Sequence, residues 1–330
     1  MVVVEEHALI SEIKQASELL SKVHNEISKV IVGQSHLIEC LLIGLLADGH
    51  LLIEGVPGVA KTLAANTFAK TLHCEFKRVQ FTPDLLPSDL IGTTIYNSKE
   101  GTFEVKKGPI FTNILLADEI NRAPSKVQSA LLEVMQEKQV TIGDHTYTAP
   151  FPFIVIATQN PIEQEGTYRL AEAQTDRFLM KIEVSYPSKQ EEKTILEKIG
   201  TLRSIPKVSP FLNPDSILRL RQLVESIYID DNIIDYLLNI VQATREPKAF
   251  QLPFEGLIEY GVSPRAAIAL KNASKARALQ SGRHFVIPED IKDVAPSILR
   301  HRLNLTYEAE AQNLTPNDLI HQILQKIDIP

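Results

Sequence analysis

The residues with the clearest chemical content are Gly55-Val56-Pro57-Gly58-Val59-Ala60-Lys61-Thr62, which follow a short apolar run and precede an apolar helical pattern. This is the layout of a phosphate-binding loop. Backbone N–H groups curl around a β-phosphate at a positive helix start, Lys61 reaches the β/γ oxygens, and Thr62 ligates Mg2+. Leu63 continues the segment and is grouped with the nucleotide contacts. Ala60 stands where a glycine is usual before the lysine, and a left-handed backbone there would cost up to about 1 kcal/mol. A second apolar run, Ile114-Leu115-Leu116-Ala117, ends in two carboxylates, Asp118 and Glu119. Asp118 is expected to hold Mg2+ through water, and Glu119 to polarise the water that attacks a γ-phosphate. A third run ends in Ala157-Thr158-Gln159-Asn160, where Asn160 can position that water. Each signal alone has an ordinary explanation as a glycine turn, a helix cap or a turn residue. Together they predict ATP as the nucleotide and Mg2+ as its cofactor.

Such a loop works only at the carboxyl end of a buried strand, with a helix behind it. The pattern supplies this. Short apolar runs at His50–Ile53, Phe76–Phe81, Ile114–Ala117, Phe153–Ala157 and Leu179–Val184 alternate with helical stretches, which predicts an α/β domain with a parallel five-stranded sheet. Two hairpins are expected to interrupt it: Thr93–Tyr96 with Thr102–Lys106, and Gln139–Ile142 with Thr146–Ala149 around Gly143-Asp144. Before the first strand, Ile13, Leu19, Leu20, Val23 and Ile27 recur at helical spacing. A Pro-rich passage, 200–214, reads as a linker, and the pattern beyond it is helical. There Asp215 and Asp231 are expected to cap helices, Ser263-Pro264 to open one running to Leu279, and Pro288 and Thr315-Pro316 to open two more. The expected domains are therefore 1–199, an α/β nucleotide-binding unit with N-terminal helices, and 215–330, an all-helical lid.

Length and charge fit an ordinary globular protein of about two domains: 330 residues, 44% hydrophobic, 23% charged. A net charge of −7 argues against a general nucleic-acid coat or a polybasic membrane binder. The longest apolar window, about Cys40–Ala47, is far short of the roughly 20 residues that cross a bilayer. Glu5 and Glu6 stand where a signal peptide needs basic residues. Cys40 and Cys74 have neither CxxC spacing nor paired histidines and read as small hydrophobes. A cytoplasmic protein without structural zinc, disulfide or membrane segment is expected.

Taken in order, the phosphate loop, the Asp-Glu strand, the Asn-ending strand, Asp176-Arg177-Phe178 and Ser263-Pro264-Arg265 resemble AAA+ ATPases, and most closely the MoxR family. The specific stretches are Gln80-Phe81-Thr82-Pro83-Asp84-Leu85-Leu86-Pro87-Ser88-Asp89, Asp118 to Pro124, Ala157 to Tyr168 and Glu172-Ala173-Gln174. The likeness runs from about Ile31 to Arg302, and Ala60 occurs within that family too. Arg169, Ala171 and Thr175 depart from its pattern.

The resemblance implies a P-loop AAA+ core followed by a helical lid, and roles for single residues. Ile31, Val32, Gly33 and Gln34 would line the adenine pocket. Asn160 would be the first sensor. Arg265 would be the second, reaching the γ-phosphate from the lid. Arg177 would be the arginine finger offered to a neighbouring subunit, with a salt bridge to Asp176 as its plain alternative, and Arg122 a lesser candidate at the subunit boundary. The hairpins would be the family's inserts, facing the ring axis or the partner. A ring, expected as a hexamer, would remodel a protein client. For this family that client carries a von Willebrand factor A domain, and metal-cofactor insertion is among the tasks. No DxSxS motif occurs here, so that domain is expected on another polypeptide. Alternatives are a nucleic-acid motor using the basic stretch Arg265–Arg302, a magnesium-chelatase-like motor subunit, and a nucleotide switch with little turnover.

Overall fold

Of five short strands in the first 184 residues, the three richest in apolar residues need cover on both faces, whereas the other two, FKRVQ and MKIEV, mix polar with apolar positions as edge strands do. In the computed structural model, which describes residues 2–161, 167–199 and 206–330, the five are β1 (Leu51–Gly55), β2 (Phe76–Gln80), β5 (Ile114–Asp118), β8 (Ile154–Gln159) and β9 (Met180–Val184). They form one sheet in the order β2-β5-β8-β1-β9, every neighbouring pair parallel. Two hairpins complete this part of the chain: β3 (Gly92–Asn97) with β4 (Thr102–Lys107), and β6 (Gln139–Ile142) with β7 (His145–Thr148). The second begins one residue earlier on its return strand than expected. Ile142 pairs with His145 across a two-residue turn in which Gly143 has φ +60°.

Alternation along the strands separates two buried layers. Leu51, Ile53, Ile114, Leu116, Ile154, Ile156 and Ile182 face α1 (Val2–Ser28), α2 (Ser35–Leu46) and α3 (Lys61–Thr71). Leu52, Leu115, Ala117, Val155 and Ala157 face the opposite layer. That layer holds α4 (Pro87–Ile91) and α5 (Ser125–Glu137), whose Val127, Leu131, Val134 and Met135 are buried. The first layer continues without a break into the C-terminal helices α8 (Pro214–Ser226), α9 (Asp231–Arg245), α10 (Pro264–Gln280), α11 (Pro288–Leu299) and α13 (Pro316–Lys326). Short α6 (Glu172–Thr175), α7 (Lys189–Ile199) and α12 (Tyr307–Ala311), and the small pair β10 (Ile258–Tyr260) and β11 (Asn304–Leu305), fill the remainder.

Two caps sit one or two residues earlier than the sequence suggests. Pro214 takes the first helical position of α8, so Asn213 caps it, its side chain accepting from the Ser216 N–H at 2.8 Å. Asp230, not Asp231, caps α9 by accepting from the Asn232 N–H at 3.0 Å. Residues 162–166 of the third motif and 200–205 of the Pro-rich passage lie outside the described residues. The end of that passage packs down on the sheet domain: Leu212 is buried, and the Phe211 N–H bonds the Thr71 carbonyl at 2.8 Å. Among the described residues no helix is long and apolar enough to cross a membrane.

His50, just before β1, is buried and saturated. Its Nδ1 accepts the Val155 N–H at 3.0 Å, so the proton sits on Nε2 and is donated to the Met135 carbonyl at 3.0 Å. A second proton has no place, and burial pushes the imidazole from 6.5 down to about 4. The folded-state value is depressed, so this contribution is intact above pH 6.5 and declines as the unfolded chain takes up the proton. Unfolding free energy from urea titration is expected to be nearly level between pH 8 and 7 and lower at pH 5 by at least the roughly 2 kcal/mol due to His50, since His301 and His36, also lowered by burial, add in the same direction. A value that stays level to pH 5 would contradict a neutral buried His50.

Candidate nucleotide site

Parallel strands bring all their carboxyl ends to one edge, and the sequence places its chemistry there. Gly55 ends β1 so close to β9 that a Cβ would sit 2.6 Å from the Val184 carbonyl oxygen, which excludes any other residue without backbone movement. The loop Val56 to Ala60 then turns into α3. Gly58 has φ +86° and Ala60 φ +60°, so the alanine carries the left-handed strain that its type makes costly. A Cβ built on Gly58 would meet nothing within 4 Å, so the loop borders open space at the sheet edge. Val59 is buried.

Lys61 leads the helix. Its Nζ donates to the carbonyls of Gly55 at 2.5 Å and Gln159 at 3.2 Å, bridging the ends of β1 and β8. Burial pulls its pKa below the ordinary lysine value, and the carboxylates of Asp118, Glu119 and Glu54 oppose that. An ammonium held by two carbonyls at the start of a helix is placed to receive phosphate oxygens.

Asp118 is 7% exposed and fully engaged. Its Oδ1 accepts the Thr158 hydroxyl at 2.5 Å. Its Oδ2 accepts Arg78 Nη2 at 2.7 Å and Nε at 2.9 Å, with the Thr62 hydroxyl 3.4 Å away. The same Thr158 Oγ1 accepts the Glu119 N–H at 2.9 Å. One hydroxyl therefore ties both carboxylate residues to β8. Glu119 takes the left-handed conformation, φ 56° and ψ 50°, which turns its side chain off the strand line. There its Oε2 accepts Gln80 Nε2 at 2.7 Å and pairs with Arg122 Nε at 3.1 Å. Asn160, 5% exposed, follows β8 at the same edge.

The donor set fits a hard cation. Thr62 and Asp118 offer adjacent oxygens, and among the described residues no group of three His, Cys, Asp or Glu forms a closed cage. That is the arrangement for an ion which reaches the protein through one carboxylate and completes its shell with phosphates and water. Arg78 already holds Asp118 Oδ2, so a cation there must share it.

On the other side of β1, Ile31 is buried, and Gln34 Nε2 donates to the Ser185 carbonyl at 3.2 Å. A Cβ on Gly33, φ +75°, would collide with the Glu191 carboxyl group. The segment Ile31–Gln34 thus lies where β9 ends. Beside it a cleft of about 710 Å3 is lined by Gly55, Val56, Ser185, Arg300 and Asn317.

The structure does not bring Arg265 to this edge. Arg265 and Arg177 line a second cleft, of about 370 Å3, with Gly49 and His50 before β1, Lys138 after α5 and Leu179 before β9. These are amino ends of strands. Strands of five residues at about 3.3 Å each put the two clefts on opposite edges of the sheet. Arg265 therefore lies beside the start of β9, on the edge opposite its own chain's phosphate loop. Arg177 makes no ion pair with Asp176. That carboxylate instead binds Arg302 at 2.7 Å and lies 3.8 Å from Arg265, while Arg177 Nε is shut from solvent with no acceptor among the described residues. The basic stretch Arg265–Arg302 is largely neutralised: Arg277 by Glu39 and Asp293, Arg283 by Asp290, Arg300 by Glu183.

Comparison with known proteins agrees with the geometry. Residues 50–180 match the profile of the ATPase family associated with various cellular activities (AAA), and residues 255–323 that of the AAA lid domain. The chain is 47% identical over 322 residues to the chaperone MoxR1 of Mycobacterium tuberculosis, covering 96% of this chain and 85% of that one. The chain belongs to the MoxR family of AAA+ ATPases. It is also 30% identical over 328 residues to the protein MoxR of Methylorubrum extorquens, covering 94% and 95% of the two chains. A crystal structure of a protein assigned as an ATPase from Cytophaga hutchinsonii superposes with a TM-score of 0.91 at 48% identity, over 100% of this chain and 99% of that one.

Within this MoxR-family site, sequence reasoning missed Arg78, Gln80 and Thr158 as ligands of the two carboxylates. Only the register reveals them, since β2 pairs Gln80 with Asp118 and β5 pairs Ala117 with Ala157. The Thr158 hydroxyl gives the clearest test. Thr158→Val keeps the volume and takes the donor from Asp118 Oδ1 and the acceptor from the Glu119 N–H, while Arg78 keeps Oδ2, so a loss of about 2 kcal/mol is expected in thermal or urea unfolding. ATP turnover should fall at least tenfold, while binding of a fluorescent ATP analogue survives.

Proposed function

We propose that this MoxR-family ATPase works as a chaperone-like subunit of a ring, in which each ATP site is completed by the next chain. The observation that carries this is the position of Arg177 and Arg265 at the sheet edge opposite the phosphate loop, out of reach of their own nucleotide. In this reading ATP lies along Gly55–Leu63, with its base against Ile31, Val32 and Gly33. Lys61 meets the β/γ oxygens. Thr62 and Asp118 would hold Mg2+, which would supply charge neutralisation at the transferring phosphoryl group. Glu119, released from Gln80 and Arg122, accepts the proton of the attacking water, and Asn160 fixes that water's position. Arg177 and Arg265 of one chain approach the γ-phosphate of its neighbour, where an added cation is worth about 10³–10⁵ in rate in related systems.

The paired hairpins support a client-facing role. They rest on each other, with Lys107 Nζ over the rings of Phe111 and Tyr147 at 4.9 and 4.7 Å, and they expose Ile95, Tyr96 and Phe103. A six-membered ring, a client with a von Willebrand factor A domain and a cytoplasmic setting remain part of this proposal, resting on the family.

Mixing two inactive variants tests the shared site. Glu119→Gln and Arg177→Ala should each lower ATP turnover at least a hundredfold and keep nucleotide binding. Combined, they should regain a measurable fraction, because the arginines of the first can serve the intact carboxylate of the second. Turnover per chain of the unmodified protein should rise with concentration. No recovery on mixing, together with turnover independent of concentration, would overturn the shared-site reading.

A further inference from the structure

Arg302 is 8% exposed, far from the phosphate loop, and no role in turnover attaches to it so far. A guanidinium has five N–H donors. Here every one is used. Nε donates to Asp176 Oδ1 at 2.7 Å, Nη1 to the carbonyls of Leu179 at 3.1 Å and Ile298 at 2.5 Å, and Nη2 to the carbonyls of Asp176 at 3.1 Å and Phe178 at 2.5 Å. Four of the five acceptors belong to the residues flanking Arg177, and the fifth to the last turn of α11. Next to it, the buried His301 ring contacts the same Phe178 carbonyl from Nε2 at 3.1 Å, and the Thr175 hydroxyl donates to the His301 carbonyl at 3.4 Å. The segment carrying Arg177 is thus held on both sides by the end of α11.

Asp176 extends the same grip to Arg265. Its Oδ2 accepts the Ser263 hydroxyl at 3.1 Å, at the start of α10, and lies 3.8 Å from Arg265 Nη1. One carboxylate therefore joins three things: the loop bearing Arg177, the first turn bearing Arg265 and the buried Arg302. Arg177 belongs to the sheet domain and Arg265 to the lid, so no covalent neighbourhood fixes their spacing.

We infer that Asp176 and Arg302 are positioning residues that hold Arg177 and Arg265 at one fixed spacing across the domain boundary, so that both cations reach a neighbouring chain's nucleotide together. The inference rests on the shared-site reading above. It differs from a plain stabilising role in having a direction. A chain whose clasp is broken keeps a working phosphate loop and carboxylates but offers misplaced arginines. It should behave as Arg177→Ala does, not as Glu119→Gln does.

The test uses the full chain with Asp176→Asn, which keeps the shape and removes the charge. Arg302→Lys is made alongside; it keeps the charge but has three donors in place of five and cannot reach the same acceptors. Both should bind a fluorescent ATP analogue as the unmodified chain does, with KM for ATP within about threefold and kcat reduced at least tenfold. Mixed with Glu119→Gln, each should recover activity. Mixed with Arg177→Ala, neither should, since both partners then lack correctly placed arginines. Asp176→Glu, which restores the charge, should regain part of kcat. Unchanged kcat in a variant that melts normally, or equal recovery with both partners, would overturn the inference while the shared-site reading stands. If Arg177→Ala and Glu119→Gln fail to complement each other, the reading beneath it falls first, and the inference with it.

Discussion

All five strands of the central sheet point the same way, and that polarity is the constraint on which the other features depend. A parallel strand pair cannot be joined by a tight turn, so each connection crosses a face of the sheet and begins at a carboxyl end. The loops that start there share one edge: the phosphate loop after β1, the carboxylates after β5 and Asn160 after β8. Every return to an amino end shares the other edge, including the segment that delivers Arg177 before β9. The chain has no means of placing both sets on one side. Separation of the anion-binding loop from Arg177 is a consequence of topology, before any side chain is considered.

Charge is handled differently at the two edges. At the carboxyl edge, Asp118 and Glu119 lie near the half-buried Lys61, and both Asp118 oxygens and Glu119 Oε2 are engaged by Arg78, Thr158, Gln80 or Arg122. These partners satisfy polar groups that burial would otherwise leave unpaired, but they also occupy lone pairs that a cation or a water molecule needs. Arrival of nucleotide must therefore exchange contacts instead of adding them. At the amino edge the balance is reversed: two arginines, Arg302 and Arg265, converge on a single carboxylate, Asp176, and only Arg302 is fully satisfied by it and by nearby carbonyls.

Much of this was legible in the residues, for a physical reason. A phosphate loop is built from contiguous backbone, and its strand, glycines, lysine and hydroxyl must follow one another, so a linear pattern contains the whole device. The same holds for Asp118-Glu119 and for β1, β5 and β8, whose apolar runs mark burial on two faces. The features that could not be read depend on register or on docking. Thr158 meets Asp118 only because β5 and β8 align Ala117 with Ala157. Arg78 and Gln80 look like exposed positions of a half-buried strand. Motif order carries no information on which edge of the sheet the lid covers, so it leaves open whether Arg265 meets its own chain's γ-phosphate or a neighbour's. Asn213 displaced Asp215 as a cap for a smaller reason, the fixed φ of Pro214.

The placement of half a site on each edge also constrains assembly. If the arginines of one chain serve the nucleotide of another, the two surfaces that meet are different patches, one carrying the loop and the other the cations. Such contacts are head-to-tail. They close into a ring when the rotation between neighbours divides a full turn, and otherwise run on as a filament. A two-fold dimer, which joins like patches, would leave both sites incomplete. Ring closure is therefore what makes every nucleotide site whole at once. It also gives the clasp at Asp176 its importance, since a cation displaced by about 1 Å can lose much of its effect on a transition state. In a ring, an error in that spacing repeats at every interface.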